Sequence, residues 1–222
     1  MSAAPPTAAD SLDAYLAAVR EGDRRRAFLI VDEARAAGVE LEAIYLEIFQ
    51  PTLREIGRLW QENELSVAEE HLATAITQAA MARLFEQSFR WQASTGRSLI
   101  AACADTERHE IGLRMLCDLL EMRGWDTTYL GATVPVDALV AMIRRVRPSA
   151  VALSVAIAPH LPRLRAMIRA IRAGAEGDPP VIVVGGRPFL EDPELATRLG
   201  ADLTAVDAAE AVAALERRLA PG

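Results

Sequence analysis

Leu99-Ile100-Ala101-Ala102-Cys103-Ala104, followed two residues later by Glu107-Arg108-His109-Glu110-Ile111-Gly112, is the stretch on which the fold turns. The first half is a short apolar run, the pattern of a buried strand. The second reads Glu-x-His-x-x-Gly and leads into a helical pattern. Strand, loop and helix in this order open an α/β domain. They place His109 at the carboxyl end of a strand, where open α/β sheets bind ligands. A histidine there is a good metal ligand when an acceptor holds its other ring nitrogen, and Glu107, two residues away, can do that. Gly112 lets the following helix start close to a bulky ligand. Six residues of this form also occur by chance, and a histidine near a helix start is commonly a cap or solvated, so the surrounding chain has to carry the reading.

Downstream, short β-rich runs alternate with helical ones. Strands are predicted over 98–103, 126–130, 149–155, 180–184 and 202–206, with helices beginning near 109, 135, 159, 189 and 207. Alternation of this kind predicts a parallel sheet covered on both faces. Residues 98–222 thus read as a Rossmann-like (flavodoxin-like) five-stranded α/β domain. Ser154 ends the third strand run and Gly185-Gly186 the fourth, on the same sheet edge as His109. A hydroxyl, a bare backbone and an imidazole on one edge would line a slot for a long, slender, partly polar ligand group. Each could equally be a plain strand-to-helix turn.

Upstream, residues 9–90 are helical only, after a tail over 1–8 expected to be disordered. Apolar residues recur at three and four positions in four segments, the third spanning about 40–62 with Pro51 inside it, which should kink or split it. Ser66-Val67-Ala68-Glu69 has the form of a capping box opening the fourth. Four helices with short connections predict a four-helix bundle, joined to the α/β domain by a polar linker over 91–97. Trp60 closes the third helix. Val67, Glu70 and His71 lie in the first turn of the fourth, so an indole, a carboxylate and an imidazole gather at one corner.

Composition narrows the classes. The 222 residues are 51% hydrophobic and 25% charged, with a net charge of −7. That balance suits a globular core and opposes a nucleic-acid surface. No stretch approaches the roughly 18 apolar residues of a membrane span. The start of the chain lacks the charged and apolar regions of a signal peptide. Cys103 and Cys117 read as core thiols, which fits a reducing cytoplasm. No nucleophile–base pair or paired carboxylate emerges, so catalytic turnover is not expected.

Taken together, these elements resemble the cobalamin-binding domain shared by methionine synthase, corrinoid methyl-carrier proteins and light-sensing regulators of the CarH type, over about residues 9–220. The resemblance implies that His109 is the lower axial ligand to cobalt, displacing the cofactor's own benzimidazole base. It implies that Glu107 orients His109, and that Gly112, Ser154, Gly185 and Gly186 line the pocket for the displaced tail. Tyr129 to Pro135 looks like the family's loop after the second strand. Ala156 departs from it, since the family often has leucine or a larger residue there. Trp60-x9-Glu70-His71 is similar to the signature of the photoreceptor branch. By that likeness the bundle caps the corrin, Trp60, Val67 and Glu70 pack on the 5′-deoxyadenosyl group, and Glu70 hydrogen-bonds it.

The resemblance therefore implies a cobalamin-dependent photosensor. Light would cleave the cobalt–carbon bond of adenosylcobalamin, empty the space under the cap and shift a two-state element. The alternative is a corrinoid methyl carrier of a methyltransferase system, whose bundle typically lacks the Trp60 signature. A third reading is an α/β protein whose motif has lost its metal. Two departures matter. Gln61 stands where photoreceptors can have a second cobalt-ligating histidine, leaving His71 as a substitute and His160 as a further candidate expected near the tail slot or solvent. A DNA-binding domain is also missing, so the reading calls for an unidentified protein partner rather than direct DNA binding. The family likeness admits biliverdin as a second chromophore and a homodimer as the assembly.

Overall fold

The computed structural model describes residues 7–104, 106–175 and 177–220. The chain divides into two compact units, Met1–Phe89 and Arg90–Gly222. Most of the expected tail, residues 1–6, lies outside the described residues. Its last two positions are not tail: Thr7 caps helix α1 (Ala8–Arg20), and its hydroxyl and Asp10 exchange hydrogen bonds across the first turn.

The helical unit continues with α2 (Arg24–Ala36), the short α3 (Leu41–Ala43), a π-helical stretch Ile44–Phe49, α4 (Gln50–Gln61) and α5 (Val67–Ser88). The π stretch is the helix's answer to Pro51. Proline cannot donate to the ladder and crowds the preceding turn. Here the Gln50 amide reaches back five residues to the Tyr45 carbonyl, and Pro51 falls in the first turn of α4, where no amide is needed. The predicted third helix is thus three segments in one run, not a broken rod. Tyr15, Tyr45, Phe49, Ile44 and Ile48 fill the centre. The buried Tyr15 hydroxyl donates to Thr77 Oγ1 at 3.2 Å, so its burial leaves no polar group unmatched.

The second unit is a five-stranded, all-parallel sheet of order β2-β1-β3-β4-β5. Its strands are β1 (Ser98–Cys103), β2 (Asp126–Gly131), β3 (Ala150–Ser154), β4 (Val181–Gly185) and β5 (Leu203–Thr204). The helices are α6 (Ile111–Glu121), α7 (Val136–Val146), α8 (Leu161–Gly174), α9 (Arg187–Glu191), α10 (Leu195–Leu199) and α11 (Ala208–Arg218). Alternate strand residues such as Ile100, Ala102, Val151, Leu153, Ile182 and Val184 pack with Leu139, Ile143, Leu164, Met167 and Ile171 of α7 and α8. Helices α6 and α11, in contact with each other, cover the opposite face. Burial on both faces is why the strands read as unbroken apolar runs.

The helix expected from about 189 is instead two short ones. Pro193 disfavours helical backbone at Asp192, which sits at φ −145°, ψ 86° and ends α9. Strand order reverses between β1 and β3, so the crevice beyond their carboxyl ends is the topological switch point.

Candidate functional site

Glu107 lies on the loop after β1, and its carboxylate is the centre of the switch point. The side chain is only 1% exposed. Its Oε1 accepts the backbone amides of Arg108 at 2.9 Å and His109 at 3.1 Å, and pairs with Nδ1 of His109. Its Oε2 accepts the Ala156 amide at 2.8 Å and Nδ1 of His160 at 3.0 Å. Burial alone would raise the carboxyl pKa. The hydrogen bonds from His109, Ala156 and His160 outweigh it and hold the group ionised, well below the usual carboxylate range.

That anion decides the histidine tautomers. A carboxylate only accepts, so each imidazole presents a protonated Nδ1. For His109 the donor to a metal is then Nε2, on a side chain 58% exposed. The expected Glu107–His109 pairing is present. His160, expected near the tail slot or solvent, is turned away from solvent. Val155–Leu161 folds back through a 3-10 turn, Ala158–His160, and carries the imidazole onto Glu107 with 19% of its side chain exposed. The sequence carried one cue, a scarce histidine six residues beyond Ser154. Nothing in the spacing told which way the loop would turn.

Ser154 Oγ lies 3.5 Å from the His109 carbonyl oxygen, and Cys103 Sγ 3.8 Å from it, so the ends of β1 and β3 meet under the histidine. The Ala104 amide donates to the Ser154 carbonyl and the Val155 amide to the Gly185 carbonyl, carrying the ladder past the strand ends. Gly186 follows at φ 117°, ψ 172°, backbone that a side chain rarely allows, and a Cβ there would sit 1.9 Å from the Val155 carbonyl oxygen. A Cβ at Gly112 or Gly185 would meet no atom within 4 Å. Gly185 is paired with Ser154 across β3 and β4, and Gly112 lies in the first turn of α6, three residues beyond His109. Both cysteines are buried, free, and pushed up to about 12 by burial, so they are inert thiols.

In the helical unit, Trp60 is the penultimate residue of α4 and Val67 opens α5, 42% and 54% exposed. The Ser66 capping box is present: Ser66 Oγ accepts the Glu69 amide at 3.3 Å, and Glu69 accepts the Ser66 amide at 2.7 Å. Glu70 is half-buried, accepts from Thr74 Oγ1 at 2.9 Å and pairs with Nδ1 of His71.

The B12 binding domain family matches this chain twice, over residues 11–85 and 97–216. The chain belongs to that family. Among curated relatives, it is 33% identical to the HTH-type transcriptional repressor CarA of Myxococcus xanthus, over 78% of this chain and 56% of that one. It is 32% identical to the repressor CarH of the same organism, over 68% and 49%. The chain spans about half the length of these repressors. The trimethylamine corrinoid protein of Methanosarcina barkeri is 24% identical over 91% of this chain and 93% of its own. In fold, the chain is similar to the Methanosarcina barkeri monomethylamine corrinoid protein, with a TM-score of 0.80 over 94% of this chain and 98% of that one at 20% identity. The expected fold of helical unit plus parallel α/β domain is thus the corrinoid-protein fold. No helix among the described residues is long and apolar enough to cross a membrane.

Proposed function

We propose that this protein is a corrinoid carrier that holds cobalamin through His109 and serves a methyltransferase partner. The observation that carries cobalamin ligation is the buried, fully hydrogen-bonded Glu107 fixing His109 by Nδ1. The residues fit the group: Glu107 orients the imidazole through Nδ1 and leaves Nε2 on a side chain that is 58% exposed. End-to-end similarity to trimethylamine corrinoid protein favours the carrier role. When bound, cobalamin supplies a cobalt centre with a transferable, light-sensitive upper alkyl group. His109 ligates it, Glu107 holds the tautomer, and Gly112, Ser154, Gly185 and Gly186 line the tail slot.

A second reading, a light sensor of adenosylcobalamin, rests on Trp60-x9-Glu70-His71 and on the 32–33% identity to CarH and CarA. In it Trp60, Val67 and Glu70 contact the upper adenosyl group, with His71 bracing Glu70, and the output passes to a protein partner. Biliverdin as a second chromophore belongs to this reading alone.

One experiment separates them. The protein is loaded in the dark with methylcobalamin, adenosylcobalamin or biliverdin, desalted, and exposed to green light, with absorption and hydrodynamic size followed. Similar retention of both cobalamins, with no light-dependent change in size, supports the carrier. Preferential adenosylcobalamin retention with a light-driven size change supports the sensor, and a retained red-absorbing band adds the bilin. No retained corrinoid overturns both readings.

A further inference from the structure

We propose that the groove between α8 and α10 is a docking site for an acidic segment of a protein partner. It deepens the partner-serving reading above and rests on it for the partner's being a protein. Residues 138–175 hold seven arginines and no aspartate, glutamate or lysine, in a chain whose net charge is −7. Six of the seven lie on α7 and α8, and Arg147 caps α7. Where α8 meets α10, Arg165, Arg169, Arg172 and Arg198 line an open groove of about 590 Å³.

Two of these four are already matched. Arg172 donates to the Pro180 carbonyl at 2.9 Å and to Asp202 at 2.5 Å, and Arg198 pairs with Asp192. Arg165 and Arg169 are exposed and have no partner among the described residues. They stand four residues apart on one helix face, where like charges repel. The free protein therefore carries a repulsion that a bound anion relieves, and guanidinium forks match carboxylates two bonds at a time. Asp192, Glu194 and Asp202 flank the groove. Two uncompensated cations between such acids suit a short run of carboxylates. A phosphate backbone, charged along its whole length, would run on to those acids. The groove is also set apart from the switch point. A helix rises ~1.5 Å per residue, so Arg165 to Arg172 lie roughly 8–18 Å along α8 from His160. A partner held there leaves the carboxyl edge of the sheet open.

The test is binding of a fluorescein-labelled decaglutamate peptide to the full chain, read by anisotropy, with a glycine-serine peptide carrying the same dye as the blank. We expect saturable binding that weakens as salt rises, because the groove is open to screening ions. Arg165→Gln/Arg169→Gln should bind about fivefold to tenfold more weakly. Arg217→Gln/Arg218→Gln removes the same two charges from α11, on the opposite face, and should bind as the wild type does. Glutamine matches arginine in helix propensity, so both variants should fold, which circular dichroism checks. No saturable binding by the wild type, or equal loss in the two double variants, overturns the proposal. So does a DNA duplex that binds more tightly than the peptide and loses affinity in the Arg165→Gln/Arg169→Gln protein. Cobalamin retention is followed in the same samples. Groove-dependent peptide binding with no retained corrinoid would support the docking site while refuting the cofactor reading.

Discussion

Gly186→Ala isolates the close approach that closes the end of the sheet. The added methyl meets the Val155 carbonyl oxygen at 1.9 Å and its carbon at 2.7 Å, at φ 117°. Neither contact can be relieved by a rotamer change, because both atoms are backbone. The Ala156 amide shares a peptide with that carbonyl and donates to Glu107 at 2.8 Å, and the Val155 amide on its other side donates to the Gly185 carbonyl at 3.0 Å, so retreat of the segment strains both bonds. Backbone in this glycine-only region costs a side chain about 1–3 kcal/mol, and overpacking adds about 1–3 kcal/mol more. A loss of about 2–6 kcal/mol is a large share of the ~5–15 kcal/mol that keeps a domain folded. At ~2–4 °C per kcal/mol for a chain of this size, the melting temperature should fall by about 5–20 °C. Thermal unfolding by circular dichroism measures it. Gly185→Ala is the control: its Cβ meets nothing within 4 Å, so stability should hold while cobalamin retention falls. A Gly186→Ala protein melting within a degree or so of wild type would refute the close-approach argument.

Glu107→Gln should destabilise the α/β unit by about 1–3 kcal/mol, since the carboxamide brings donors where the native oxygens only accept, and should weaken cobalamin retention about tenfold or more. Its pH signature has a definite sign. The folded pKa lies below the ordinary 4.5, so the native stabilisation is fully present above about pH 5 and drains away as pH falls through the lowered folded pKa. Melting curves of both proteins from pH 7 downward should therefore converge in acid, and a gap that widens would contradict the assignment. Ser66→Ala removes the cap of α5 and should cost about 1 kcal/mol in chemical denaturation, with Ser66→Thr close to wild type. Trp60→Ala tests the sensor reading: an indole stacked on adenine is worth about 1–3 kcal/mol. It should lower adenosylcobalamin retention roughly fivefold or more while sparing methylcobalamin, and equal retention of both would count against that contact.

Much of this protein is legible in its sequence because the signals are local. A parallel strand buried on both faces must be apolar throughout, so Leu99–Ala104, Val151–Leu153 and Val181–Val184 announce themselves. The capping box at Ser66 satisfies amides within one turn, and Pro51 acts on the turn that precedes it. Glu107 and His109 are two residues apart, so their pairing is also local. Only the tertiary structure decided that Glu107 is shared with Ala156 and His160, some fifty residues on, because the register of β1 against β3 brings those loops together. The same holds for Gly186, whose lack of a side chain is required by its φ of 117° and by the Val155 carbonyl that crosses its Cα. Local chemistry selects the elements and the metal-ligating dyad. Long-range strand pairing supplies the third partner and the tight backbone approach, since neither has any counterpart within a single turn or strand.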